Sequence, residues 1–271
     1  MLYVPAAMSF GKVRIVLHRP ANAENLGAVA RAMMNFGLSR LAVVTPPAWG
    51  GAPRGGGDGT AQEDVLKRAA RVARHATVLL DRAEFHPDLA AALGPATWVC
   101  GTSSRELPGR PRLTPRQLGE EVARRSGSGE LALVFGEEQR GLSDAELELC
   151  HAVCTIPTSP DYDSMNLAQS VAVVCYELAC GDGAEARVER PPVGADGAPL
   201  APADPARHAT VEALWARLQA VLSAAGYLNP QNPEQILAEW RRLLTRAEPT
   251  QREVELLLAA VRSLERQLSP P

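Results

Sequence analysis

The stretch LVFGEEQRGLSD, residues 133–144, concentrates groups that could do chemistry. An apolar run ends at Gly136, the acids Glu137 and Glu138 follow, and Gly141 closes the segment. A buried strand that stops at a charged loop between two glycines could hold a phosphate, a metal or a neutral ligand. A metal would need further carboxylates or histidines close by. Ser143 and Glu146 stand at capping-box spacing, so they serve the next helix rather than a ligand. What remains is a turn with exposed backbone and one or two acids. That suits a neutral hydrogen-bonding ligand such as an adenine base.

Other stretches carry chemistry-bearing side chains. In ENLGAVARAMMNFG, residues 24–37, Gly27, Arg31 and Asn35 fall in one i, i+4 row of an otherwise apolar helix. Arg31 could snorkel on a solvated face. It could equally face an anion, with Gly27 letting a backbone or ligand come close. In IPTSPDYDSMNLAQSVAVVCYELA, residues 156–179, Asp163 or Ser164 can cap a long helix, which puts Asn166 in its first turn. Arg105, Arg110, Arg112 and Arg116 crowd one segment, where they could meet phosphates or simply be solvated. Gly55, Gly56 and Gly57 lack the lysine and hydroxyl of a phosphate loop and read as a surface loop. The five cysteines show no C-x-x-C pair and read as reduced, mostly buried thiols; Cys150-His151-x-x-Cys154 has no second ligand pair at zinc spacing.

The elements that must position these residues alternate. Strands are expected at 13–17, 41–44, 77–80, 97–100, 131–135 and 152–156. Helices are expected at about 24–36, 62–74, 87–92, after Thr114 and Pro115, at 144–148 and at 164–180. This order implies an α/β class with a mostly parallel sheet flanked by helices. Ligands of such sheets sit beyond the carboxyl ends of the strands. The loops after Cys100, Phe135 and Ile156 all leave such ends. Three segments are expected: an α/β domain at 1–181, a Pro/Gly/Ala-rich linker at 182–208, and a helical extension at 209–271. Thr250-x-x-Glu253 marks the start of the last helix.

A net charge of −3 gives no global basic field, though a local patch would suffice for nucleic acid. No apolar run reaches the ~18 residues of a membrane span, and no targeting pattern begins the chain, so a cytoplasmic protein is expected.

ENLGAVARAMMNFGL, LVFGEEQRGLSD and IPTSPDYDSMNLAQSVAVVCYEL resemble the three motifs of the SPOUT superfamily of RNA methyltransferases, in its TrmH-like branch of ribose 2′-O-methyltransferases. GTSSR after the fourth strand and AAGYLNPQNP in the tail resemble the TrmJ-type tRNA enzymes. The resemblance implies a C-terminal trefoil knot, a homodimer, and S-adenosylmethionine bound by the three loops. Position by position it implies cofactor contacts at Thr102, Ser103, Ser104, Gly136, Ile156, Asp163, Ser164 and Met165; where Asp163 stands, the family often has a small hydroxyl residue. It implies Arg31 as the catalytic arginine. A guanidinium resists deprotonation, so its expected work is to hold a phosphate and stabilise the developing alkoxide. Asn25, Glu138, Ser164 and Asn166 would shape the reaction pocket, with no metal. The implied substrate is RNA, and for a TrmJ-type enzyme the tRNA anticodon loop at position 32, with Arg105, Arg110, Arg112 and Arg116 holding the tRNA body. An rRNA target and a non-catalytic RNA-binding protein are the alternatives.

Overall fold

The computed structural model describes residues 10–46, 49, 60–125, 127–162, 164–180, 204–228 and 233–268. The glycine loop and most of the expected linker lie outside them. The chain divides into two compact units, residues 1–92 with 98–187, and residues 93–97 with 188–271.

The first unit is built on a seven-stranded sheet of order β3-β2-β1-β6-β4-β7-β5. Its strands are β1 (Val13–His18), β2 (Arg40–Val44), β3 (Glu84–His86), β4 (Ala96–Thr102), β5 (Arg112–Leu113), β6 (Glu130–Phe135) and β7 (Ala152–Cys154). The pairings β1–β2, β1–β6, β2–β3, β4–β7 and β5–β7 are all parallel. Every residue of β1 is buried, as expected of a parallel strand covered on both faces. Near the strand starts, the buried Arg14 guanidinium pairs with Glu84 at 2.8 Å and Glu130 at 2.6 Å, and Arg40 joins the same two acids. That end of the sheet is closed by ion pairs, so the opposite end is left to carry loops.

The helices covering the sheet are α1 (Ala23–Asn35), α2 (Ala61–Ala73), α3 (Thr77–Asp81), α4 (Leu89–Leu93), α5 (Pro115–Arg125), α6 (Asp144–Leu147) and α7 (Leu167–Cys180). Their starts are set locally. Asn22 caps α1 through its side chain, and reciprocal capping boxes start α2 at Thr60/Glu63 and α6 at Ser143/Glu146. Thr114 and Gln117 bond each other in the same way at α5. Gly27 is needed because α1 and α2 nearly touch: a Cβ there would lie 2.2 Å from the Ala69 carbonyl oxygen. The i, i+4 row therefore splits, with Gly27 buried against α2 and Arg31 and Asn35 exposed.

Residues 77–80 are not a strand. They open α3, which follows directly from α2 through a 3-10 turn at Arg74–Ala76 and buries Leu79 and Leu80. A four-residue apolar run fits one helical turn as well as a strand. The strand that adds to the edge is β3, a few residues later, where only three residues pair.

β7 lies between β4 and β5, the two strands joined by residues 103–111. On one side the Ser103 amide donates to the Cys154 carbonyl at 3.0 Å. On the other, the Val153 and Thr155 amides donate to Pro111 and Leu113 at 2.9 and 2.8 Å. The last strand thus inserts between two strands that are consecutive in sequence before the chain turns into α7, which packs on α1 and α5. This late insertion is where the knot of the fold falls, a topology that ordinary connection rules disfavour.

In the second unit, α8 (His208–Ala224), α9 (Pro233–Ala247) and α10 (Gln251–Leu268) share a small core. Leu214, Val221, Leu244, Val254, Leu258 and Val261 are its buried members. His208 is buried there, and desolvation lowers its pKa against the opposing pull of Glu212. Thr250 and Glu253 form the expected pair at the start of α10.

Candidate active site

The three loops converge beyond the strand ends. Between them lies a pocket of about 310 Å³ whose lining includes Thr102, Ser103, Ser104, Gly136, Ile156, Ser164 and Met165. Seven of the eight residues expected at the cofactor are therefore together; Asp163 lies outside the described residues.

The Gly136–Gly141 loop is a closed turn. Gly141, at φ 65°, donates its amide to the Glu137 carbonyl at 2.9 Å. A Cβ on Gly136 would fall 2.2 Å from the Gly141 carbonyl carbon and 2.4 Å from the Leu142 nitrogen. The obstacle is backbone, so only glycine fits and the main chain itself forms the wall. The other two loops are stitched together. The Thr155 hydroxyl donates to the Ser103 carbonyl at 2.8 Å, and the Thr102 hydroxyl donates to Val134 at 3.1 Å. A polar pocket walled by backbone, with Glu137 and Glu138 at its rim, fits a neutral nucleoside joined to a cationic group.

Beside the pocket, one chain of hydrogen bonds links all three sequence motifs. Asn166 accepts from the Ala168 and Gln169 amides at 2.9 and 3.3 Å through Oδ1. Its Nδ2 then faces Asn25 and donates to Asn25 Oδ1 at 3.0 Å. Asn25 Nδ2 in turn donates to Glu138 Oε1 at 2.8 Å. Glu138 also accepts from the Ala21 and Asn22 amides at 2.9 and 3.2 Å. A helix cap fixes one end and a carboxylate the other, so both amide orientations are determined.

This relay revises one expectation. The cap of α7 is Asn166 rather than Ser164, and the helix begins at Leu167, with Asp163 outside the described residues. Glu138 lines both this pocket and the cavity beside it, and its oxygens hold the start of α1. Ser164 is exposed at the pocket rim.

The arginines separate by environment. Arg110 is buried, and its guanidinium donates to the Glu148 carbonyl at 2.9 Å and carboxylate at 3.0 Å. That structural role removes it from the RNA-contact set. Arg112 braces the 103–111 loop through Thr155, Glu106 and the Ser104 carbonyl. Arg105 pairs with Asp144 and bonds the Leu142 carbonyl. Arg116 is exposed and makes no ion pair among the described residues. Arg31 is exposed, likewise makes no ion pair among the described residues, and lines neither this pocket nor the cavity beside it.

No histidine lines either cavity. Cys154 does line the pocket, but burial pushes its thiol up to about 12, so it stays protonated and unreactive near neutral pH. Among the described residues no cluster of three or more His, Cys, Asp or Glu could hold a metal. His151 is occupied otherwise, accepting from the Val99 amide at 3.1 Å. Asn22, Gln139, Arg140 and Tyr162 also line the site and were not singled out as site residues from sequence. Asn22 carried a signal, an Asn just before a helix start; Tyr162 carried none.

The fold and site define a methyltransferase of the SpoU type. The SpoU rRNA Methylase family matches residues 12–176, and the chain belongs to that family. The C-terminal domain of tRNA methyltransferase TrmJ matches residues 209–271. The chain is 34% identical over 257 residues to the tRNA (cytidine/uridine-2′-O-)-methyltransferase TrmJ of Yersinia enterocolitica, covering 94% of this chain and 92% of that protein. The TrmJ of Klebsiella pneumoniae is also 34% identical, over 94% of this chain and 97% of its own. Among solved structures, TrmJ from Z. mobilis ZM4 superposes with a TM-score of 0.73 at 29% identity, over 93% of this chain and 98% of that one.

Proposed function

We propose that the protein is an S-adenosylmethionine-dependent tRNA (cytidine/uridine-2′-O-)-methyltransferase acting in the anticodon loop, at position 32. The observation that carries this reading is the Asn166–Asn25–Glu138 relay beside the glycine-walled pocket, in a chain with the SpoU core and the TrmJ C-terminal domain. The C-terminal match and the TrmJ relatives favour tRNA over the rRNA of the core family's description.

Bound in the pocket, S-adenosylmethionine supplies an activated methyl group on a cationic sulfur. Thr102, Ser103, Ser104, Gly136, Ile156, Ser164 and Met165 would hold it, with Glu137 and Glu138 giving a negative field for the sulfonium. Displacement at a methyl carbon is in-line, so placement contributes most. The relay fixes the three loops relative to one another. Glu138 accepts three hydrogen bonds, so its carboxylate is committed to positioning.

The reading includes a homodimer in the cytoplasm. Met34 of α1 and Tyr176 of α7 are 46% and 52% exposed on helices that pack together, and Phe36 sits edge-on to Tyr176. A second copy covering this face would bring Arg31 to the site of its partner, where it would hold phosphate and stabilise the alkoxide. In the test, purified protein and labelled cofactor are given tRNA, rRNA or neither. The expected result is transfer to tRNA, abolished by Arg31→Ala with cofactor affinity kept. RNA binding without transfer would leave only a non-catalytic RNA-binding role.

A further inference from the structure

Beside the cofactor pocket lies a second cavity of about 560 Å³, lined among others by Asn22, Asn25, Arg68, Tyr162 and Asn166. Glu138, Gln139, Ser164 and Met165 line both spaces, so the two are neighbours. A group placed in the second cavity faces whatever occupies the first.

Tyr162 is the unusual member. It is 78% exposed, more than any other large hydrophobic residue among the described residues. Among the described residues it packs against no other aromatic ring or cation. Yet its backbone is pinned. The Tyr162 amide donates to the Ser159 carbonyl at 3.0 Å, and Asp161 donates to the Ser159 hydroxyl at 3.3 Å. A flat ring on a fixed turn, at the edge of a polar cavity beside the relay, is the arrangement that captures a splayed nucleobase.

We propose that Tyr162 stacks on the base of the nucleotide being methylated and so places its ribose at the mouth of the cofactor pocket. The inference rests on the tRNA methyltransferase reading. It makes Tyr162 a substrate-positioning group that contacts the base face, with the polar wall of Asn22, Asn25 and Asn166 around the sugar side.

The test is a cycle on Tyr162 and the base. Wild type, Tyr162→Ala and Tyr162→Phe are assayed on tRNA and on the same tRNA made abasic at the mapped methylation position. Stacking loss predicts that Tyr162→Ala lowers kcat/KM by roughly 5- to 160-fold on intact tRNA. Cofactor affinity should stay unchanged, and Tyr162→Phe should stay within about threefold of wild type, because the ring and not the hydroxyl stacks. On abasic tRNA the wild type should fall by a similar factor, and Tyr162→Ala should show no further loss. Equal losses from Tyr162→Ala on both acceptors, or Tyr162→Phe as damaged as Tyr162→Ala, would overturn the stacking role while leaving the enzyme reading intact. No transfer by the wild type to any tRNA would overturn both.

Discussion

Asn166 does two jobs, and two substitutions separate them. Its Oδ1 caps α7 by accepting from Ala168 and Gln169, and its Nδ2 donates to Asn25. Asn166→Ala removes both. Losing a cap costs about 1 kcal/mol, and losing a partly exposed side-chain bond costs about 1 more. A total near 2 kcal/mol lowers the melting temperature by about 4–8 °C in a domain of this size. Asn166→Asp keeps the cap and adds a negative charge at the helix N-terminus, worth about 0.3–1 kcal/mol. But it sets an acceptor against Asn25 Oδ1. If the Asn25 amide turns over to donate there, its oxygen then faces the Glu138 carboxylate, so the relay breaks either way. Asn166→Asp should melt within about 3 °C of wild type and still lose at least about tenfold in methyl transfer. Thermal denaturation and transfer from labelled cofactor measure both. Full transfer by Asn166→Asp would show that the Asn25–Asn166 bond does not position the site, and an unchanged melting temperature in Asn166→Ala would refute the cap.

Other outcomes follow from the same geometry. Gly136→Ala drives a methyl into the Gly141 and Leu142 backbone; calorimetry should show at least about a tenfold loss of cofactor affinity, and wild-type affinity would refute the glycine wall. If Arg31 serves the partner's site, Arg31→Ala and Gly136→Ala proteins, assayed at a cofactor concentration too low to load the Gly136→Ala pocket, should regain about a quarter of wild-type activity when refolded together, because half the dimers then hold one complete site; if both groups act in one chain, mixing restores nothing. Burial holds the His208 pKa below its usual value, so the unfolded chain takes up that proton first. Stability should be full above about pH 6.5 and fall as pH drops from there toward the lowered folded pKa. Denaturant midpoints at pH 7.5 and 5 should differ less in His208→Gln than in wild type.

Sequence patterns reached β1, β2 and β6 and most helix starts because those rest on local chemistry: buried apolar runs for the strands, Thr114 with Pro115 at α5, and capping pairs at Ser143/Glu146 and Thr250/Glu253. They failed at Thr77–Asp81, where one apolar turn satisfies either period. The insertion of β7 between β4 and β5 has no local signature, and the knot came only from the family resemblance. Gly136, expected from its place at a strand end, and Ser103, expected only from the resemblance, both line the pocket. The work of Asn166, Glu138 and Arg110 was not legible. It depends on partners 141, 113 and 38 residues away in sequence.

The relay and the closed ion-paired strand starts divide the first unit into a fixed base and a shaped rim. Rigid loops fit a reaction that needs alignment more than acid–base strength, since no histidine or reactive thiol lines the site. The most direct test is alkaline-hydrolysis mapping of tRNA from cells with and without the gene. A ribose 2′-O-methyl blocks cleavage at one phosphodiester. The predicted result is a single protected bond in the anticodon loop, present with the gene, absent without it, and restored by wild type but not by Arg31→Ala. Identical tRNA ladders in both cells, or a gene-dependent methyl on a base with every phosphodiester cleavable, would contradict ribose methylation as the function.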